Sequence, residues 1–181
     1  MPTLVYFNLQ GRAQPIRYAL AAANVDYEDK RLTNEEWSAA KTEGTYGEGN
    51  QLPVLVADDG QIMNQGGAIL KMICAENGFA PADAKATYEM EWFFDTNEDD
   101  MKSAGSVFAE VMFAPNASAE SVDKLATTFA AMFKKLDARY GDDRAFIGGA
   151  SACAADFRVL TTYTAFVANP HQKNPSLGTA L

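Results

Sequence analysis

Strand-forming signals are confined to the first 63 residues of this chain, and from residue 83 onward the apolar residues follow helical spacing. Residues 3–7, Thr-Leu-Val-Tyr-Phe, are a short β-rich run broken by Asn8-Leu9-Gln10-Gly11. From Arg12 a helix is expected, with Pro15 tolerated in its first turn and Ile16, Ala19, Leu20 and Ala23 at helical spacing. Residues 25–31 can form a second strand. Thr33, with Glu36 three residues on, makes a capping box that predicts a short helix carrying Trp37 and Lys41. A Gly-rich loop from Gly44 to Asn50 leads into residues 51–56. Asp58-Asp59-Gly60 is a hairpin turn from which residues 61–63 pair back. A further helix is expected over 65–76. Strands alternating with helices imply an α/β layer, and the tight hairpin makes the sheet partly antiparallel.

After Asn77-Gly78-Phe79-Ala80-Pro81-Ala82 the strand signals stop. Residues 83–113, 118–140 and 153–168 read as three helices, broken at Ala114-Pro115-Asn116 and Gly148-Gly149. The expected organisation is an α/β domain over 1–77, a linker at about 78–82 and an all-helical domain over 83–181. With 48% hydrophobic and 22% charged residues in 181, there is enough apolar material for real cores.

Charge narrows the partners. A net charge of −9 argues against nucleic acid, because phosphate binding needs a local excess of Lys and Arg. It leaves room for an anionic small ligand, since two or three placed cations can dominate a pocket. No run approaches the roughly 18 apolar residues of a membrane span. The N-terminus lacks a basic region followed by an apolar stretch, so no signal peptide is expected. Cys74 and Cys153 form no CxxC and no metal-ligand spacing, so no metal and a reducing, cytoplasmic compartment are expected.

Several residues could carry chemistry, and each also has a plainer reading. Tyr6, taken alone, is first a half-buried strand tyrosine. Its place just before a helix N-terminus also presents its hydroxyl to a ligand beside a helix dipole. Arg12 is a surface cation or a group at the same site. Pro53 cannot donate a ladder bond, so it belongs at the start of a strand. A cis bond there would expose the backbone of Leu52 to an extended peptide, whereas a trans bond is the ordinary case. Trp37 and Lys41 share a helix face and either form a stray surface pair or offer an indole N–H and an ammonium, suited to a carboxylate. Gln65-Gly66 opens a helix whose free N–H groups favour an anion. Asp95, Asn97 and Asp99 fail the calcium-loop pattern, with Asp100 at position six and Ser106 at position twelve. Tyr88, Trp92, Asp95 and Asp99 make an aromatic-acidic stripe that suits a partner interface.

The strings Leu4-Val5-Tyr6-Phe7, Gly11-Arg12-Ala13-Gln14 and Ile16-Arg17 resemble the opening of glutathione transferases, the sigma class most closely. So do Trp37 and Lys41, Gln51-Leu52-Pro53-Val54-Leu55, Asn64-Gln65-Gly66, and Phe146-Ile147-Gly148 with Ala155-Asp156-Phe157. The resemblance covers nearly the whole chain. It implies a thioredoxin-like domain with a mixed four-stranded sheet and a cis-proline at Pro53, then a helical domain, in a cytoplasmic homodimer. It also implies glutathione as co-substrate, lying extended across the first domain, and a small hydrophobic electrophile. Tyr6 would hydrogen-bond the sulfur with Arg12 supporting that hydroxyl, and the backbone of Leu52 would pair with the cysteinyl unit. Trp37 and Lys41 would hold the glycyl carboxylate. Gln65 and the Gly66 amide would hold the γ-glutamyl end, assisted by Asp99 of a second subunit. Phe7, Gln51 and Pro53 complete the glutathione-binding set. The implied activity is thiol transfer in detoxification, or an isomerase or peroxidase reaction using the same thiolate.

Three departures from the family pattern stand out. Gly66 occupies a position where the family usually has Ser. Cys153 stands where a Ser or Thr usually begins the capping box completed by Asp156, unless Ser151 caps in a shifted geometry. The chain ends at Leu181, short of the family's last helices. Gly66 and the short C-terminus motivate a rival reading, a non-catalytic structural subunit like the family's crystallin-like relatives. Tyr6, Arg12, Trp37 and Lys41 together oppose it. A thioredoxin-type disulfide oxidoreductase is disfavoured because the first helix begins with no cysteine.

Overall fold

The computed structural model describes residues 1–47, 49, 51–114, 116–141 and 144–168. Two units are present, Met1–Ala80 and Pro81–Leu181. The end of the Gly-rich loop at Asn50, the break at Pro115 and the chain beyond Ala168 lie outside the described residues.

In the first unit the elements are β1 (Thr3–Phe7), a 3₁₀ turn (Gly11–Ala13), α1 (Gln14–Ala22), β2 (Glu28–Leu32), α2 (Asn34–Glu43), β3 (Val54–Val56), β4 (Ile62–Met63) and α3 (Gly66–Glu76). The sheet order is β2-β1-β3-β4. β1 runs parallel to β2 and antiparallel to β3, and β4 closes the hairpin antiparallel to β3. This is the expected mixed four-stranded sheet. Successive residues of a strand face opposite ways, yet Leu4, Val5 and Tyr6 are all buried, so both faces of β1 are covered. Val5 joins Leu32 and Val54 in a cluster against which Trp37, Tyr46, Leu52 and Val56 pack. α1 and α3 pack on each other and bury Ile16, Ala19, Leu20, Ile69, Leu70 and Ile73.

In this unit three element starts differ by two or more residues from those read along the chain. Residues from Gly11 form a 3₁₀ turn, and the α-helix begins at Gln14 with Pro15 inside its first turn. β2 starts at Glu28 because its N–H bonds the Pro2 carbonyl at 2.9 Å and its register opposite Thr3 is set there. β3 starts at Val54 because Pro53, joined to Leu52 by a cis bond, has no N–H for the ladder. The capping box of α2 forms as written in the sequence: Glu36 N–H donates to Thr33 Oγ1 at 3.1 Å and Thr33 N–H to Glu36 Oε2 at 2.7 Å.

The second unit holds α4 (Ala84–Phe113), α5 (Ala119–Tyr140) and α6 (Ala154–Thr162), the last continuing into a π-helical turn (Tyr163–Val167). Its core gathers Ala104, Val111, Val122, Leu125, Ala126, Phe129, Met132 and Phe166, with the Phe129 and Phe166 rings stacked at 4.5 Å. Gly105 breaks helical geometry inside α4 (φ 47°, ψ −129°). Glu110 reaches forward to the start of α5, accepting from Ser118 N–H at 2.9 Å and Ser121 Oγ at 2.7 Å. Those bonds hold its carboxyl below the usual range. No helix among the described residues is long and apolar enough to cross a membrane.

The start of α6 shows how the cysteine departure is accommodated. Cys153 remains the N-cap residue, and Asp156 does most of the capping, accepting from both Cys153 N–H and Ile147 N–H at 2.8 Å. Cys153 is fully buried, and burial pushes its thiol up to about 11, so it stays neutral at physiological pH. Asp156→Ala leaves two backbone donors without their acceptor, at roughly 1–3 kcal/mol each. Denaturant unfolding of this variant is expected to show a loss of about 2–6 kcal/mol. An unchanged midpoint would show that water replaces both bonds.

Candidate functional site

Tyr6 stands near the end of β1 with only 8% of its surface exposed. Beyond β1 the chain turns through Asn8, Leu9 and Gln10 into the 3₁₀ turn, and Arg12 N–H donates to the Tyr6 hydroxyl oxygen at 3.2 Å. Arg12 thus reaches Tyr6 through its backbone, while its side chain is exposed. The approach depends on Gly11, which has φ +45°. A Cβ there would lie 2.6 Å from both the Tyr6 hydroxyl oxygen and Leu9 Cδ1. Along the sequence Gly11 marks only the end of a strand. Its closeness to Tyr6 is a tertiary fact with no local signature.

Three further segments meet this turn. At the sheet end of the site, the ladder between β1 and β3 begins at the Val5–Val54 pair, so the backbone of Leu52 lies beyond it. Gln65 has φ 70° and ψ 94°, an unusual backbone for a non-glycine residue, and α3 begins immediately after it. Gln65 Nε2 donates to Gln51 Oε1 at 3.3 Å. A Cβ on Gly66 would meet Pro53 Cγ at 3.1 Å, Pro53 Cδ at 3.3 Å and the Arg12 carbonyl at 3.5 Å. The cis-proline, the start of α3 and the turn over Tyr6 therefore converge. A serine at 66 would have to push the Pro53 ring by a few tenths of an ångström, so the missing hydroxyl and close packing go together.

Phe7 continues the site toward α2. Its ring lies 5.6 Å from that of Tyr6 and 6.4 Å from that of Trp37, both edge-on. Trp37 stacks on Tyr46 at 6.5 Å, and Lys41 Nζ stands 5.9 Å from the Trp37 ring centroid. The shared face of Trp37 and Lys41 is present, with Tyr46 as an added wall that the sequence reading did not single out. Lys30 Nζ is 5.9 Å from the Tyr46 ring, adding a second cation.

Two residues outside these clusters need placing. Arg17, quoted above only as part of a string, is 5% exposed with its guanidinium carbon 6.0 Å from the Tyr6 ring centroid. A signal for it existed: Ala13, Ile16, Arg17 and Leu20 share one helix face, so an arginine falls on an apolar stripe. Asp99 stands exposed on α4 in the second unit. Of its stripe, Tyr88 is exposed, whereas Trp92 is covered within the chain by the Arg139 guanidinium at 3.9 Å and the Tyr140 ring at 6.3 Å. Among the described residues no group of three or more His, Cys, Asp or Glu side chains is placed to hold a metal ion.

A family model described as the glutathione S-transferase N-terminal domain matches residues 2–74. Glutathione S-transferase P of Caenorhabditis elegans is 35% identical over 96 residues, which are 53% of this chain and 44% of that protein. Hematopoietic prostaglandin D synthase of Gallus gallus is 31% identical over 178 residues, covering 96% of this chain and 85% of that protein. The crystal structure of a major nematode-specific GST of C. elegans superposes with a TM-score of 0.81 at 26% identity, covering 99% of this chain and 88% of that one.

The Gly11 geometry gives a direct test of the turn. Gly11→Ala must relieve a 2.6 Å overlap and hold a side chain at positive φ. The second effect alone costs roughly 1–2 kcal/mol. A destabilisation of at least that size is expected by denaturant unfolding. Hydrogen exchange at the Arg12 amide is expected to quicken by more than the global loss accounts for. Equal slowing or quickening across β1 and the turn would mean that Arg12 N–H is not specifically held.

Proposed function

The chain belongs to the glutathione S-transferase family, and on that premise we propose that it activates the thiol of glutathione for attack on small hydrophobic electrophiles, with Tyr6 as the group that touches the sulfur. The observation that carries this reading is the Arg12 N–H bond to the Tyr6 hydroxyl oxygen. A hydroxyl oxygen that already accepts an amide keeps its own proton free to donate outward. A free thiol has a pKa of about 8.5 and is mostly protonated at neutral pH, yet the thiolate is the nucleophile. A hydrogen bond donated to the sulfur favours the charged form.

The rest of the site suits the remainder of the tripeptide. The Leu52 backbone, outside the ladder, takes the cysteinyl unit as an added strand. Trp37 and Lys41, beside Phe7, take the glycyl carboxylate. Gln51, Gln65 and the start of α3 at Gly66 take the γ-glutamyl end, where free N–H groups and the helix dipole favour a carboxylate. Pro53 packs beneath that end. Sigma-class membership, a cytoplasmic role in detoxification, and an isomerase or peroxidase variant of the same thiolate chemistry extend the proposal. The rival reading, a non-catalytic structural subunit, is favoured by one observation: Gly66 lacks a hydroxyl and is closely packed on Pro53. Retention on immobilised glutathione with turnover of an aromatic halide supports the enzyme. Retention without turnover supports the rival.

Assembly as a homodimer, with Asp99 reaching the partner's γ-glutamyl site, completes the proposal. Sedimentation is expected to give the mass of two chains, and Asp99→Asn is expected to weaken glutathione binding without changing that mass. A monomer at micromolar concentration would remove Asp99 from the site.

Tyr6→Phe removes one oxygen and is expected to keep the fold and most glutathione affinity. The pKa of the bound thiol is expected to rise by about one unit or more, a loss of about 1.4 kcal/mol. Turnover at neutral pH falls accordingly and recovers in part at higher pH, as the thiol ionises unaided. Ultraviolet titration of the thiolate in the binary complex measures this, and identical curves for wild type and variant would reduce Tyr6 to a strand residue.

A further inference from the structure

A buried cation behind Tyr6 has no part in the chemistry just described. Arg17 Nη1 donates to the Leu9 carbonyl at 2.9 Å, the Gln10 carbonyl at 3.3 Å and Gln14 Oε1 at 3.4 Å. Its Nε donates to Asp29 Oδ1 at 3.2 Å, and its Nη2 is buried with no partner among the described residues. Asp29 also accepts from Arg31 Nε at 2.9 Å and pairs with Arg31 Nη2 at 2.8 Å, and Arg31 Nη1 donates to Asn8 Oδ1 at 2.8 Å. The loop of Asn8, Leu9 and Gln10 is thus held from two sides by one network running from α1 through β2. The next residues along the chain are Gly11 and Arg12, which bring the amide to Tyr6.

Stability alone does not account for this arginine. A buried donor left without a partner is costly, and a buried ion pair can often be replaced by apolar side chains of similar volume with no loss. An apolar side chain could neither donate to two successive carbonyls nor place a positive charge against the Tyr6 ring. We propose that Arg17 is a positioning residue for Tyr6, fixing the loop so that the Arg12 amide stays on the Tyr6 hydroxyl while its charge, set against the Tyr6 ring, makes that hydroxyl a stronger donor to the thiolate. The inference rests on the reading of Tyr6 as the thiol-activating group.

Arg17→Lys keeps the charge and loses the grip on both carbonyls, and Arg17→Met loses both. Glutathione affinity by calorimetry and KM for glutathione stay near wild type, because the groups proposed to hold the tripeptide are elsewhere. The thiolate-to-thiol ratio of bound glutathione, read by ultraviolet titration per folded molecule, falls about tenfold in Arg17→Met, the equivalent of one pKa unit. Arg17→Lys lies between that variant and wild type, and kcat falls in parallel in both. In a Tyr6→Phe background, Arg17→Met has no additional effect on the thiolate, since it acts through Tyr6. A lower melting temperature with wild-type thiolate and kcat would show a purely structural arginine and overturn the proposal. Additive losses in the double variant would overturn it too. If Tyr6→Phe alone leaves the thiolate at wild type, the reading of Tyr6 fails first. If Tyr6→Phe lowers the thiolate and Arg17→Met does not, only Arg17 fails. Should Arg17→Met not fold, wild-type thiolate in Arg17→Lys decides against the proposal, and an intermediate loss decides for it.

Discussion

Leu4 and Val5 in the middle of β1 expose none of their surface, so this strand must be flanked on both sides and covered on both faces. β2 and β3 supply the flanks, one parallel and one antiparallel. Trp37, Tyr46 and Leu52 cover the face that Val5 presents. Because β1 is fixed so completely, the residues near its end have little freedom either. Tyr6 and Phe7 are carried to the end of the central strand, next to the cis-proline ahead of β3 and the turn ahead of α1. The candidate site is therefore a by-product of where the central strand stops.

Much of that site is backbone. The group on the Tyr6 hydroxyl is an amide N–H, the proposed partner of a peptide is the main chain of Leu52, and the start of α3 offers further N–H groups. Backbone donors carry no side-chain entropy to lose and keep their direction as long as the fold holds. The same property makes the site sensitive to residues that touch no ligand, with Gly11 and Arg17 as the clearest cases. Side-chain identity matters most where an aromatic wall or a charge is needed, at Trp37, Tyr46 and Lys41.

Local rules were legible in the sequence wherever one segment contains all the partners. The capping box of Thr33 and Glu36 is such a case, and so is the hairpin around Gly60. Boundaries set by distant partners were not legible. β2 begins where the Pro2 carbonyl can reach it, and β3 begins where Pro53 ceases to interrupt pairing. Cys153 breaks the usual side-chain preference for a cap, yet α6 forms because Asp156 reaches back to two amides, one of them in the preceding loop. The resemblance of Tyr6, Arg12, Pro53 and Gly66 to a family pattern pointed to a candidate site, whereas the contacts joining them, and the arginine behind them, required the folded chain.

The order β2-β1-β3-β4 leaves β2 and β4 as the outer strands of the sheet. An outer strand has a free row of N–H and C=O groups on which another copy of the chain could add, the first step of aggregation. β4 offers only two residues for such growth, Ile62 and Met63. β2 is longer, but Glu28, Asp29, Lys30 and Arg31 occupy four consecutive positions along it. A second copy docking there in parallel and in register would set like charge on like at each of these four positions. The ion-pair network that steadies the loop beside Tyr6 draws on the same Asp29 and Arg31. One short acidic-basic strand thus disfavours parallel, in-register growth of the sheet while it anchors the loop next to Tyr6.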